Sequence, residues 1–273
     1  TNFISNFLPN PALKPEISTE FEVGVEAKFF NNRLGFDFTY YNKDTEDQIN
    51  FRPIPTETGY TSFADNFGNV TNEGIELGFN AVPYKSKNGD FTWDISGSYN
   101  INENLVESTN GQVIQISGFG GGLGNYAIEG EAFGIIQGSA VLRDVNGNML
   151  IDDNGDYIVD PETRIIGDPN ADWTMSIVNG LTYKNWNLAA QVEYQHGGDM
   201  FARTANTLAA RGLTTDTDFD RYQSFILPGV VQSTGQPNNI NISATEAFFD
   251  NYGFGAQEFN IYDVTNIRLR EVS

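Results

Sequence analysis

The sequence predicts an all-β protein: a sector of an antiparallel transmembrane β-barrel with long extracellular loops. Three observations predict it. Side chains alternate apolar and polar with a period of two over runs long enough to cross a bilayer. Tight turns alternate with long polar connections. Aromatic residues gather near the ends of the apolar faces. Composition agrees: Gly 28, Phe 21 and Tyr 12 stand beside only 19% charged residues in a chain of 273, a mixture of sheet and turn formers.

Taken in order, Phe21, Val23, Val25, Ala27 and Phe29 point one way while Glu20, Glu22, Gly24, Glu26 and Lys28 point the other. A turn at Asn31-Asn32 leads to Leu34, Phe36, Phe38 and Tyr40, alternating with Gly35, Asp37, Thr39 and Tyr41, which completes a hairpin. Ile75, Leu77, Phe79 and Ala81 repeat the pattern up to the turn Lys87-Asn88-Gly89-Asp90. Their partner strand, Phe91 to Asn102, is too long for an ordinary soluble strand. A third hairpin joins Met175, Ile177, Leu181 and Tyr183 to Trp186, Leu188, Ala190, Val192 and Tyr194 around Lys184-Asn185. A last strand is expected near Tyr262 to Val272, with weaker alternation and a bulge. The intervening stretches, about Pro53 to Phe67, Asn104 to Asp172 and Gly197 to Gln257, are polar and are expected to be the long loops. Girdle aromatics are expected at Phe29, Tyr40, Trp93, Tyr183, Trp186 and Tyr194.

Lipid offers no partner to backbone N–H and C=O groups, so strands that cross it must close into a ring. Six or seven strands leave two open edges, and the chain is therefore expected to be one sector of a larger barrel. No apolar run approaches the ~20 residues of a spanning helix. Thr1 to Asn10 has neither the basic start nor the apolar run of a signal peptide, so the chain is expected to begin in mid-fold. A net charge of -21 disfavours nucleic acid as a partner. The absence of Cys removes disulfides, thiolate nucleophiles and cysteine-bound zinc.

Several phrases carry a resemblance: Leu13-Lys-Pro-Glu16 with Thr19-Glu-Phe-Glu-Val-Gly24; Asn32-Arg-Leu-Gly35 leading to Tyr40-Tyr41 and Thr45-Glu-Asp-Gln-Ile49; and Gly68-Asn-Val-Thr-Asn-Glu-Gly-Ile-Glu76. Further along come Asp144-Val-Asn-Gly147 with Ile165-Ile-Gly167-Asp-Pro169, Asn179-Gly-Leu-Thr-Tyr-Lys184, Gly197-Gly-Asp199 and Tyr262-Asp-Val-Thr-Asn-Ile-Arg-Leu-Arg-Glu-Val272. In their order and spacing they resemble the C-terminal third of SusC/RagA-type TonB-dependent outer-membrane transporters of Bacteroidota. The resemblance implies that residues 1–273 are the C-terminal part of a barrel of about 22 strands with a plugged lumen. It further implies import of oligosaccharides or peptides with a SusD-like surface lipoprotein as a lid. The plug domain, the TonB-contacting segment and the terminal strands are expected outside this sequence, so contact with the TonB complex falls to the N-terminal part of the protein.

One constellation suits a cation. Asp144-Val-Asn-Gly-Asn-Met-Leu-Ile-Asp152 is echoed by Asp152-Asp-Asn-Gly-Asp-Tyr-Ile-Val-Asp160, so Asp144, Asn146, Asp152, Asn154, Asp156 and Asp160 offer hard oxygen ligands for Ca²⁺. Gly147 and Gly155 fall at the fourth loop position rather than the sixth, and no Glu closes the loop. The alternative is two Asn-Gly turns between short strands at Met149 to Ile151 and Tyr157 to Val159. No other cofactor is expected.

His196, the single histidine, is expected to line a turn or the lumen, and no Gly-x-Ser-x-Gly phrase accompanies it. Gly118 to Gly124 is expected to be a flexible loop. Glu20, Glu22, Glu26, Asp37, Glu76 and Asp94 are expected to solvate the lumen wall and bias which solutes pass. Tyr60, Phe63, Phe119, Tyr126, Tyr222 and Phe225 suit either stacking on sugar rings or packing of the loops against one another or against the lid lipoprotein. An enzyme is not expected. A soluble or surface-exposed β-sandwich or β-solenoid that binds glycans is the competing reading, and a secreted hydrolase is a third; a buried apolar face would mark the sandwich.

Overall fold

The computed structural model describes residues 7–273, so part of the Thr1 to Asn10 opening lies outside the described residues. Seven strands form one antiparallel sheet in chain order: β1 (Ile17–Phe29), β2 (Leu34–Glu46), β3 (Asn69–Lys85), β4 (Phe91–Ser108), β5 (Trp173–Tyr183), β6 (Trp186–His196) and β7 (Asn266–Val272). Every neighbouring pair is consecutive, which is the up-and-down order of a barrel wall.

Register carries the period of two across the whole sheet. Val25, Phe38, Leu77, Tyr99, Met175, Tyr194 and Ile267 lie side by side on one face. One residue along, Gly24, Thr39, Glu76, Asn100, Thr174, Gln195 and Asn266 form the matching row on the other. The apolar face is uncovered: Phe21 is 64% exposed, Leu188 52% and Ile267 71%. A sandwich would bury these side chains against a second sheet, so this face meets lipid. The 11 residues of β5 and of β6 advance about 36 Å, or about 26 Å across a layer at a tilt near 45°, which matches the apolar band of outer-membrane barrels.

The three turns at one end are tight. Phe30, Asn31 and Asn32 take φ of 54°, 56° and 65° to join β1 to β2, and Lys184 takes 52° to join β5 to β6. Asparagine tolerates this left-handed backbone because its short side chain bonds locally. The β3–β4 turn lies at the same end, where Gly89 takes φ 79°. At the opposite end the connections 47–68, 109–172 and 197–265 are long. The expected hairpins are all present, and β2, β3 and β4 each run beyond the alternating core that marks them in the sequence. The expected last strand is two pieces: Ile261–Asp263 pairs with Asp199–Phe201 inside a loop, and β7 alone joins the wall with a register shift opposite Gln191/Val192.

The long connections are folded, which alternation did not reveal. Phe67, Val70, Val106, Ile114 and Ala127 form a small core, with Phe133 against it, where β3 and β4 leave the bilayer. Beyond it, Val141, Ile151 and Tyr157 of the 109–172 connection pack with Leu227, Ile242, Ala247 and Ala256 of the 197–265 connection. The two longest loops therefore share one hydrophobic core.

Candidate functional site

The polar face of the wall and the loop module above it make the candidate site. Glu20, Glu22, Glu26, Asp37, Glu76 and Asp94 are all exposed on the polar face, as expected. Glu26 pairs with Lys28 at 2.5 Å on the same strand. Toward β7 the charge changes sign. Arg268 and Arg270 project into a hollow lined by Ser98, Asn100, Thr174 and Ser176, and Arg270 binds Glu193 at 2.5 Å. Tyr41 lies across Gly74 to donate its hydroxyl to Asn102 Oδ1 at 2.8 Å. A Cβ at position 74 would come within 2.5 Å of that hydroxyl.

Aromatic residues sit at both ends of the apolar face. Tyr84 meets Phe91 near the tight turns, and Tyr183 and Trp186 face one another across the β5–β6 ladder. At the loop end Trp173 contacts Tyr99 and Tyr194 at 5.3 and 4.8 Å between ring centres. His196 stacks on Trp173, opposite it in the ladder, and its Nδ1 lies 3.0 Å from Asp172 Oδ2. The histidine thus belongs to the lipid-side girdle and does not line the lumen, because residue parity on β6 puts it on the face of Tyr194.

The six oxygen-bearing residues that suit calcium are distributed over a meander. Backbone bonds from Leu142 to Ile158, Leu150 to Leu142 and Ile158 to Leu150 hold its three short segments together. Asp144 Oδ1 accepts the backbone N–H of Asn146 and of Asn148, closing the first turn. Asp152 Oδ1 does the same for Asn154 and Asp156 in the second. Asp156 accepts from the Asn251 amide at 2.7 Å, and the buried Asp160 pairs with Arg164 at 2.6 Å. The Asp144 and Asp152 carboxyls are thus engaged by local N–H donors, and Asp160 by a guanidinium. No group of three or more His, Asp or Glu among the described residues is placed to hold a metal ion.

Those hydrogen bonds shape the acidities. The side-chain amide and backbone N–H of Asn148 hold the Asp144 carboxyl below its usual range. Burial pushes Asp152 up, but the N–H groups of Asp156 and Asn154 outweigh it and the carboxyl is held low. Asp160 is lowered by the Glu162 N–H and then by Arg164. Burial drives the Tyr157 hydroxyl strongly up, and that hydroxyl donates to Pro228 O at 3.2 Å.

The loop aromatics divide between packing and exposure. Phe225 packs on Phe219 and Phe248, and Tyr126 donates to Gly122 O at 3.0 Å. Tyr60 and Phe63 are half-buried. Phe119 and Tyr222 remain exposed. Gly118 to Gly124 is the tip of an ordered hairpin, Ile114–Gly120 with Leu123–Ala127, rather than a flexible loop: Gly120, Gly121 and Gly122 take φ of 90°, 62° and 78° to make the reversal.

Comparison with known proteins agrees with this architecture. A family model described as TonB dependent receptor-like, beta-barrel, matches residues 1–225. The TonB-dependent receptor P3 of Formosa agariphila is 30% identical over 233 residues, covering 77% of this chain and 23% of that receptor. The TonB-dependent receptor SusC of Bacteroides thetaiotaomicron is 37% identical over 101 residues, covering 37% of this chain and 10% of that receptor. The solved RagAB peptide transporter superposes with a TM-score of 0.64 at 19% identity, over 94% of this chain and 28% of that one. The chain thus spans less than a third of the length of these relatives, which are receptors and transporters rather than enzymes. With strands that present an apolar face to lipid, tight turns at one end and folded loops at the other, the chain belongs to the TonB-dependent receptor β-barrel family of the bacterial outer membrane.

Proposed function

We propose that this chain forms part of the wall and the outer mouth of a TonB-energised importer of oligosaccharides or peptides, working with a SusD-like lid lipoprotein. The remaining wall strands, the plug and the TonB contact come from the rest of the protein. One observation carries the reading: a lipid-facing sheet with a polar inner face is capped at its long-loop end by a cored module built from two connections. Such a module is rigid enough to support a lid or to present cargo, because interiors packed to native density deform little. Asp144, Asp152 and Asp160 act here as turn and ion-pair residues, and no metal is assigned to them. The test is uptake by cells from which the full-length protein has been deleted, on peptide and on glycan as nutrient. Loss of uptake of one class, together with co-purification of a surface lipoprotein with the intact protein, supports the reading. Uptake of both classes unchanged by the deletion sinks it.

A further inference from the structure

An apolar hollow of about 220 Å³ opens in the loop module beside the barrel mouth. Buried Leu123 and Ile136 form its floor, and Phe119 and Met200, 72% and 53% exposed, stand at its rim with Pro169. Phe119 occupies a hairpin tip flanked by Gly118 and Gly120, so no neighbouring side chain on its own strand shields the ring. Exposing an aromatic ring and a thioether around a preformed apolar floor forfeits the stabilisation of burying them. The hollow is smaller than the roughly 300–1,000 Å³ of drug-sized sites and has room for one side chain.

The rim is acidic on one side. Asp199 lines the hollow and stands directly opposite Asp263 in the Asp199–Phe201/Ile261–Asp263 ladder. Asp168 adjoins them, its N–H donating to Asp199 Oδ2 at 3.0 Å. Carboxylates directly opposite in a ladder repel one another. Among the described residues, neither Asp168 nor Asp199 makes an ion pair. The net charge of -21 adds a long-range attraction for cations.

We propose that this hollow is a docking subsite for a cargo peptide that presents an apolar side chain next to a cationic group, with Phe119 and Met200 gripping the former and Asp199 the latter. The proposal rests on the import reading and narrows its cargo. The rim carboxylates accept local N–H groups, from Asp168 to Asp199, from Asn170 to Asp168 and from Thr265 to Asp263, but have no counter-charge among the described residues. A neutral sugar ring stacks on Phe119 and leaves that charge uncompensated, whereas a leucine beside a lysine answers both halves of the rim.

The full-length protein in detergent and three labelled tetrapeptides, Ser-Leu-Lys-Ser, Ser-Leu-Glu-Ser and Ser-Ser-Lys-Ser, decide it by fluorescence anisotropy. The Leu-Lys peptide binds most tightly, and its affinity falls with salt because the rim is solvent-exposed. Phe119→Ala, at an exposed tip, weakens it roughly ten-fold, the scale of one interface aromatic, and leaves the Ser-Lys peptide unchanged. Asp199→Asn keeps an acceptor for the Asp168 N–H but removes the preference for Lys over Glu. Equal binding of the Leu-Lys and Leu-Glu peptides, binding of none, or variants that lose the lid lipoprotein while binding peptide normally would overturn the subsite. Cells that still import a glycan through the full-length protein in that event preserve the import reading, so the two fail separately.

Discussion

At the residue scale, the lipid-facing row that holds Asn179 poses a problem in solvation. Asn179 lies on the outward face between Ile177 and Leu181, opposite Ile95 on β4 and Ala190 on β6. A primary amide there has no water to bond and is costly unless a neighbour satisfies it. Trp93 does so, its indole N–H donating to Asn179 Oδ1 at 2.6 Å. The indole N–H and the amide oxygen thereby satisfy one another. Replacing Trp93 by Phe removes the donor but keeps an aromatic ring, and is expected to cost about 1–3 kcal/mol, the penalty of an acceptor left without a donor in lipid. Adding Asn179→Leu to Trp93→Phe is expected to recover most of that loss, since both partners are then apolar. Urea unfolding of the full-length barrel in lipid vesicles measures the cycle. A double variant no more stable than Trp93→Phe alone would show that the pair does not act as a unit. The same economy of space governs the glycines: Phe79 lies over Gly97, where an added Cβ would stand 2.7 Å from its ring.

At the element scale, the two acidic turns show how a carboxylate-rich repeat fixes a folded meander. Asp144 and Asp152 each bind two N–H groups downstream, which fixes two reversals in succession and stacks three short segments. Both carboxyls are held below their usual range, so their contribution is complete above the unfolded value near 3.8 and is lost as pH falls through the lower folded values. Hydrogen-exchange protection across 144–156, corrected for intrinsic rates, is therefore expected to hold from pH 7 to 5 and to fall below pH 4. Asp144→Asn with Asp152→Asn keeps the acceptors without the charge and should flatten that profile. A profile equally steep in the double variant would point to another titrating group. The hairpins were legible because alternation such as Val23, Val25 against Glu22, Gly24, Glu26 depends only on which face meets lipid. The outer ends of β3 and β4 were not, because Val70 and Val106 lie on the polar face and are buried by a loop core that no local period encodes. Of the two places expected for His196, the lumen fails for a simpler reason: it ends β6 beside two glycines, and only strand parity assigns its face.

At the scale of the whole molecule, the wall is held by ladders between neighbours, whereas the mouth is held by contacts between segments far apart in sequence. Such non-local packing leaves little trace in sequence, which is why the 109–172 and 197–265 connections read as polar loops. Asn251 is the hinge pin of this arrangement. Its Oδ1 accepts the Tyr157 N–H at 2.8 Å, and its Nδ2 donates to Asp156 Oδ1 at 2.7 Å and to Glu246 O at 2.8 Å, all from a buried position. A second clasp lies nearby, where Glu258 accepts the Val141 N–H at 2.7 Å and pairs with Arg143 at 2.9 Å. Asn251→Leu is close in volume but strands the Tyr157 N–H, a cost of about 1–3 kcal/mol concentrated where the two loops meet. Because they share one core, both are expected to open together: protease added outside intact cells should gain cleavage sites in 109–172 as well as 197–265. The wall should stay folded, read as retention of the compact gel mobility of the unheated barrel, since no ladder bond of β1 to β7 involves Asn251. Cleavage confined to 197–265 would mean that the loops fold independently, and the mouth would then be two separate flaps rather than one platform.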